Sequence, residues 1–236
     1  MSDPHAEVQL VVEWLRGAGG HLLPADDPAP AIAAEASAAG REAVFARLAE
    51  EVDACRRCAL GDERANAVFG EGSPTARLVI VGEAPGAEED RTGRPFVGRA
   101  GELLTRMLAA IGLAREDVFI CNVLKCRPPG NRSPRPDEAG ACQPFLQAQL
   151  EVLEPDLLLA LGSHAARLLL GTERGITALR GRFHQTAAGW RVMPTFHPAY
   201  LLRNPSAKRE VWEDLKEVLR HLGKEPPPVS TSRKKR

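Results

Sequence analysis

The sequence predicts an α/β chain, a parallel sheet with helices packed on both of its faces. Four stretches have the continuity of buried strands: RLVIV (77–81), DVFICNVL (117–124), PDLLLAL (155–161) and WRVMPTF (190–196). Helical periodicity occupies 41–54, 99–111, 135–153, 163–170 and 206–222. The chain has 236 residues, 44% of them hydrophobic and 26% charged. That is one domain with extras, able to bury roughly 70% of its unfolded surface without disulfide staples. Unbroken apolar strands alternating with helices belong to sheets covered on both sides. Their crossovers should be right-handed.

Outside this alternation the chain changes character. Residues 1–16 read as a short amphipathic helix with Val8, Val11, Val12 and Leu15 on one side. Residues 17–40 are rich in Gly, Ala and Pro and read as a linker or loose arm, so 1–40 forms an added N-terminal part. The main domain is expected at 41–222, followed by a disordered basic tail at 223–236, ending SRKKR. Apolar runs such as LLLAL fall far short of the ~18 residues of a membrane span. The start, MSDPHAEVQ, lacks the pattern of a signal peptide. A cytoplasmic protein with reduced cysteines is the expectation.

Thirty-one basic residues balance thirty-one acidic ones, yet the distribution is uneven. No Asp or Glu occurs between Arg174 and Arg209, a window that holds Arg180, Arg182, Arg191, Arg203 and Lys208. A second cationic stretch runs Lys125, Arg127, Arg132, Arg135. One positive face, as a phosphate-backbone binder needs, is one reading. Solvated arginines on unrelated surfaces is the other.

In open parallel sheets ligands bind beyond the carboxyl ends of the strands, here 82–90, 122–131, 162–164 and 197–203. GEAPGAEED (82–90) is no dinucleotide or Walker loop, and Glu83, Glu88, Glu89 and Asp90 would repel a phosphate. A nucleotide cofactor is therefore not expected. Glu83, directly past its strand, suits a water-orienting or cation-stabilising carboxylate, whereas Glu88 and Glu89 fit a helix N-terminus equally well. Phe96, in the Gly/Pro-punctuated GRPFVG loop, reads as a stacking platform or a loop anchor. Asn122 can offer a donor and an acceptor to a ligand edge, or stabilise a turn. His197 is fixed by Pro198 beyond the last strand. His5, His21, His164, His184 and His221 lack such a setting, and His164 after Ser163 reads as an ordinary first-turn residue.

Five cysteines remain. Cys55 and Cys58 form CRRC, and Cys126 and Cys142 lie far downstream. These four are compatible with one four-thiolate site, zinc or iron–sulfur, while a CxxC redox pair lacks its preceding strand. Arg56, Arg57, Lys125 and Arg127 would offset thiolate charge. Cys121, inside an apolar strand, is a small core residue.

Together these segments closely resemble the family-4 uracil-DNA glycosylases, the iron–sulfur branch of that superfamily. The resemblance runs from about Cys55 to Leu219. It rests on CRRC, GEAPGAEED with GRPFVGRAG, NVLKCRPPGNRSP, ACQPFL, LGSHAARLLLG and PTFHPAYLLRNPSAK in order. It implies a three-layer α/β/α fold with a central four-stranded parallel sheet. It also implies a structural [4Fe-4S] cluster on Cys55, Cys58, Cys126 and Cys142, and a monomer acting on uracil in single- or double-stranded DNA. By matching motifs, Glu83 is the first-motif carboxylate, Phe96 the aromatic under the base, Asn122 the uracil-reading amide and His197 the leaving-group histidine. Glu89 would sit near uracil C5 and exclude thymine's methyl, and Asn131 would lie near the reacting sugar. Ala84, Pro85 and Arg203 would line the substrate, and Leu201 or Leu202 would be the wedge that fills the vacated stack, unless both are plain helix packing. The chain departs from the family at Cys121, where a small polar residue is frequent, and in its first forty residues. The KRRIH loop of a covalently trapping branch is absent, so turnover is expected; the one lysine at a strand end, Lys125, neighbours a cluster ligand, so lyase chemistry is not expected. An iron–sulfur DNA-sensing module and a glycosylase for deaminated purines are the competing readings.

Overall fold

The computed structural model describes residues 38–226. The expected helix at 1–16, nearly all of the 17–40 arm and most of the basic tail lie outside the described residues. Four parallel strands form the middle of the sheet: β2 (Leu78–Gly82), β3 (Phe119–Asn122), β4 (Leu157–Leu161) and β6 (Arg191–Thr195). Two antiparallel two-residue strands close the edges, β1 (Glu71–Gly72) against β3 and β5 (His184–Gln185) against β6. The order is β1-β3-β2-β4-β6-β5, so the sheet has six strands where four were expected. The edge pairs, EG and HQ, carry no apolar run, and backbone pairing alone makes them strands.

Side-chain alternation along each central strand divides the core between two faces. Val79, Val81, Phe119, Cys121, Leu158 and Ala160 point to one face, where α1 (Ala38–Ala54) and α5 (Pro136–Leu153) cover them. Leu78, Ile80, Ile120, Leu157, Leu159 and Met193 point to the other, under α4 (Arg99–Ala110) and α9 (Lys208–His221). Both faces are buried, which is why the strands are apolar throughout. Pro194 lies beyond the two residues that β5 pairs, so its missing N–H costs no ladder bond.

Short helices punctuate the loops: α2 (Leu60–Glu63), α3 (Ala87–Thr92), α6 (Ser163–Leu170), α7 (Ile176–Leu179) and α8 (Pro198–Arg203). The end of β6 is tied down by buried Asp214 of α9. Its carboxylate accepts from Thr195 Oγ1 at 2.6 Å and from Arg180 Nε and Nη2 at 3.1 and 2.6 Å. Burial nevertheless raises the Asp214 carboxyl above the usual range. Arg180 is thus an internal counter-ion, stacked on Phe196 at 5.2 Å, and not part of a cationic face.

Candidate active site

At the carboxyl ends of β2, β3, β4 and β6 the loops surround a cleft of about 580 Å³. The position is the one an open parallel sheet dictates. Glu83, Ala84, Pro85, Glu89, Phe96, Asn122, Asn131, His197 and Arg203 all line it.

Its floor is built by register. Gly82 pairs with Asn122 across β2 and β3, and the ladder continues through Val123 N–H to Gly82 O and Leu124 N–H to Glu83 O, at 2.9 and 3.0 Å. Glu83 and Asn122 are therefore carried side by side. Gly82 has no alternative: a Cβ there would stand against Asn122 Oδ1 and within 2.6 Å of Phe96 Cζ. Asn122 is 1% exposed, and its Oδ1 is buried without a hydrogen-bond partner. An unpaired buried acceptor costs about 1–3 kcal/mol, a cost that a ligand donor would remove.

Phe96 anchors its loop in the core and also faces the cleft. It is buried against the Leu103/Leu104 core, and its ring lines the cleft, 5.8 Å from the His197 ring. Its backbone is in the left-handed region, φ 52°, a conformation costing a bulky residue of order 1–3 kcal/mol. Two side chains clamp the loop in that state. Glu89 Oε1 accepts from the Val97 and Gly98 N–H groups at 2.8 and 2.9 Å, while Oε2 accepts from Gly86 N–H at 3.1 Å. Arg115 donates to Pro95 O and Phe96 O at 2.7 and 3.1 Å, and is itself held by Glu71. Gly101 is forced, since any Cβ there would overlap the Phe96 carbonyl.

His197 caps α8: its Nδ1 accepts from Ala199 N–H at 3.1 Å. A backbone N–H only donates, so the ring proton belongs on Nε2. Burial, helped by the charge of Arg203 and opposed by Glu89, lowers the imidazole to about 4, and the ring is neutral at neutral pH. On the far side of the cleft Glu83 Oε2 lies 2.8 Å from Nδ1 of His164, whose Nε2 lies 3.5 Å from Ser133 Oγ. Asn131 is exposed at φ 55°, its Oδ1 accepting from Arg127 Nε at 2.8 Å.

Some expectations need correction. Leu201, on the inner side of α8, is 1% exposed and packs in the core, so it cannot act as a wedge, whereas Leu202 is 37% exposed. Lys125 does not belong to a cationic surface. It is buried, with Nζ donating to Asn122 O at 2.8 Å and Gln149 Oε1 at 2.6 Å, and burial depresses its basicity. His164, read as first-turn filler, lines the cleft and touches Glu83. Its location at the carboxyl end of β4 was the signal that could have found it. Tyr200 also lines the cleft, as does Arg132 of the second cationic stretch, held by a bidentate pair with Glu138.

A second pocket gathers Cys55, Cys58, Cys126 and Cys142, brought from the α1–α2 turn, the loop after β3 and α5. Among the described residues no three His, Cys, Asp or Glu side chains are set to chelate a single ion. The pocket instead presents four soft donors with hydrogen bonds aimed at sulfur. Arg64 Nη1 donates to Cys126 Sγ at 3.0 Å, Lys125 N–H to Cys142 Sγ at 3.2 Å and Arg57 N–H to Cys55 Sγ at 3.5 Å. Such donors are what a thiolate-bound centre takes from its surroundings. Burial pushes the Cys142 thiol up to about 12, a preference for the proton that a bound cation would have to overcome. Cys121 is fully buried in β3, as expected of a core residue.

The family model for the uracil DNA glycosylase superfamily matches residues 69–216. The chain is 50% identical over 188 residues to a type-4 uracil-DNA glycosylase of Thermotoga maritima, covering 78% of this chain and 98% of that protein. It is 42% identical to the type-4 enzyme of Archaeoglobus fulgidus, over 76% of this chain and 94% of that one. Similarity to a type-5 uracil-DNA glycosylase of Mycobacterium leprae is lower, 34% over 64% of this chain and 76% of that one. A cleft at the family's expected strand ends and these matches together make the chain a member of the uracil-DNA glycosylase superfamily, in its type-4 group.

Proposed function

We propose that the chain excises uracil from DNA by hydrolysing its N-glycosidic bond, leaving an abasic site, and that Asn122 reads the base. The observation that carries this is the buried, unpartnered Oδ1 of Asn122 beside Phe96 and His197. Oδ1 accepts from uracil N3–H while Nδ2 donates to O4. Cytosine inverts both partners, and sites built on such pairs discriminate by ~10⁴–10⁵. A stacked base is out of reach, so the nucleotide flips out at a cost of a few kcal/mol. Stacking on Phe96 returns ~1–3 kcal/mol of that, and Leu202, exposed next to Arg203 at the rim, fills the gap. Glu89, Ala84 and Pro85 close the slot, Glu89 against thymine's methyl.

As the C1′–N1 bond breaks, its electron pair moves onto uracil. The neutral His197 donates Nε2–H to O2, where the charge collects, an electrostatic role that needs no proton transfer. Glu83 steadies the cationic sugar and orients the water that attacks C1′, with Asn131 near the sugar. Among the described residues no lysine lines the cleft, and the buried Lys125 is engaged through Nζ with Asn122 O and Gln149 Oε1, which supports hydrolysis without strand cleavage. The chain acts as a monomer and without a nucleotide cofactor. The carboxylates of 83–90 speak against a bound phosphate.

Cys55, Cys58, Cys126 and Cys142 would hold a [4Fe-4S] cluster, supported by the four-thiol pocket and its hydrogen-bond donors. When bound it supplies a cross-link among three chain segments. The test is uracil release from single-stranded and U·G oligonucleotides: the wild type should release uracil, and Asn122→Asp should lose its preference for it. Binding of DNA without release would overturn the reading in favour of a sensing module.

A further inference from the structure

We infer that His164 is a positioning residue for Glu83, fixing one carboxylate oxygen so that the other faces the reacting sugar. The inference rests on the glycosylase reading of the cleft. Glu83 Oε2 and His164 Nδ1 are 2.8 Å apart. An ionised carboxylate only accepts, so the imidazole proton in this contact is on Nδ1. His164 sits in the first turn of α6, immediately beyond the carboxyl end of β4. Glu83 is at the end of the neighbouring strand β2, so the contact crosses the cleft between two parallel strands. Glu83 Oε1 takes no hydrogen bond from the described residues, and it is the oxygen left for water and the cationic sugar.

The need for such a partner follows from exposure. The Glu83 side chain is 28% exposed, on a loop that starts with Glu83 itself. Misplacing a reacting group by about 1 Å can cost on the order of 10²-fold in rate. His164 is itself 47% exposed, and Ser133 Oγ, 3.5 Å from Nε2, braces the outer edge of its ring. Nearly half of its side chain is open to solvent and none of it belongs to either apolar core cluster, so substitution should leave the core intact.

The test is a set of single-turnover rates with matched DNA-binding constants, the latter on an oligonucleotide whose uridine carries 2′-fluorine and resists cleavage. His164→Ala should slow uracil release on the order of tenfold with unchanged binding. His164→Asn, whose amide can still donate to Glu83, should recover to within about threefold of wild type. In a Glu83→Ala background, followed with 5-fluorouracil as a better leaving group, adding His164→Ala should change the rate by less than about twofold. A His164→Ala rate equal to wild type, an Asn variant no better than Ala, an equal slowing with and without Glu83, or a loss of affinity matching the loss of rate would each overturn the inference. A wild-type chain that releases no uracil would instead sink the functional reading on which it rests.

Discussion

Glu89 holds Phe96 through the backbone: its carboxylate accepts the N–H groups of Val97 and Gly98, the two residues that follow the aromatic. With Gly86 N–H on the other oxygen, one side chain ties the start of α3 to the Phe96 loop. Charge-assisted bonds of this kind contribute roughly 1.5–3 kcal/mol each. Glu89→Ala removes three of them, offset in part by the ~1–3 kcal/mol released as Phe96 relaxes from its left-handed backbone and by water reaching the freed N–H groups, and should lower stability by ~3 kcal/mol. Uracil release should fall on the order of tenfold or more. Thermal denaturation and single-turnover rates on the same preparation check both expectations.

Gly82 makes a sharper case because its neighbours leave it no room. Gly82→Ala would push a methyl against Asn122 Oδ1 and the Phe96 ring. The backbone of β2 accepts Ala without strain, so the strand should form. The Asn122 amide should be displaced. The expected result is a native circular dichroism spectrum with uracil release reduced about 100-fold or more.

How far the sequence could carry this site depended on the kind of constraint behind each residue. Glu83, Asn122 and His197 were legible because strand ends and the Pro after His197 fix their places through local chain geometry. The two-residue edge strands were not, since EG and HQ become strands only through their partners. Leu201 and Leu202 differ by one step along α8, and only packing against α4 turns the first inward. Lys125 counted as surface charge in the sequence, yet Gln149, twenty-four residues on, supplies the acceptor that draws it inside. The role of His164 depends likewise on a distant partner, Glu83, eighty-one residues away in the chain.

The neutral state of His197 carries a pH signature. Its folded value is about 4 against about 6.5 for a free imidazole, so the unfolded chain binds the proton more readily. The stability contribution is fully present above pH ~6.5 and is lost as pH falls through about 4, amounting to roughly 3 kcal/mol. A His197→Asn variant should show a flatter dependence of melting temperature on pH between 6.5 and 4 than the wild type. On the proposed role of Nε2–H toward the departing anion, its uracil release should fall far more than its DNA binding. Equal losses in rate and binding would make His197 a structural cap for α8 alone.

The four-thiol pocket should declare its occupant directly. Protein purified without chelators should be brown and contain about four irons and four sulfides per chain, as a cubane held by four thiolates requires. Stoichiometric zinc without iron would remove the cluster assignment. Cys142→Ala should lose both colour and iron. It should also destabilise the chain by several kcal/mol, because Cys142 joins α5 to the loop whose Lys125 N–H it accepts and whose Lys125 Nζ holds the Asn122 carbonyl. That path predicts a further loss. The colourless variant should bind DNA nearly as well as the wild type but discriminate uracil from cytosine less sharply, and release assays on both bases check it.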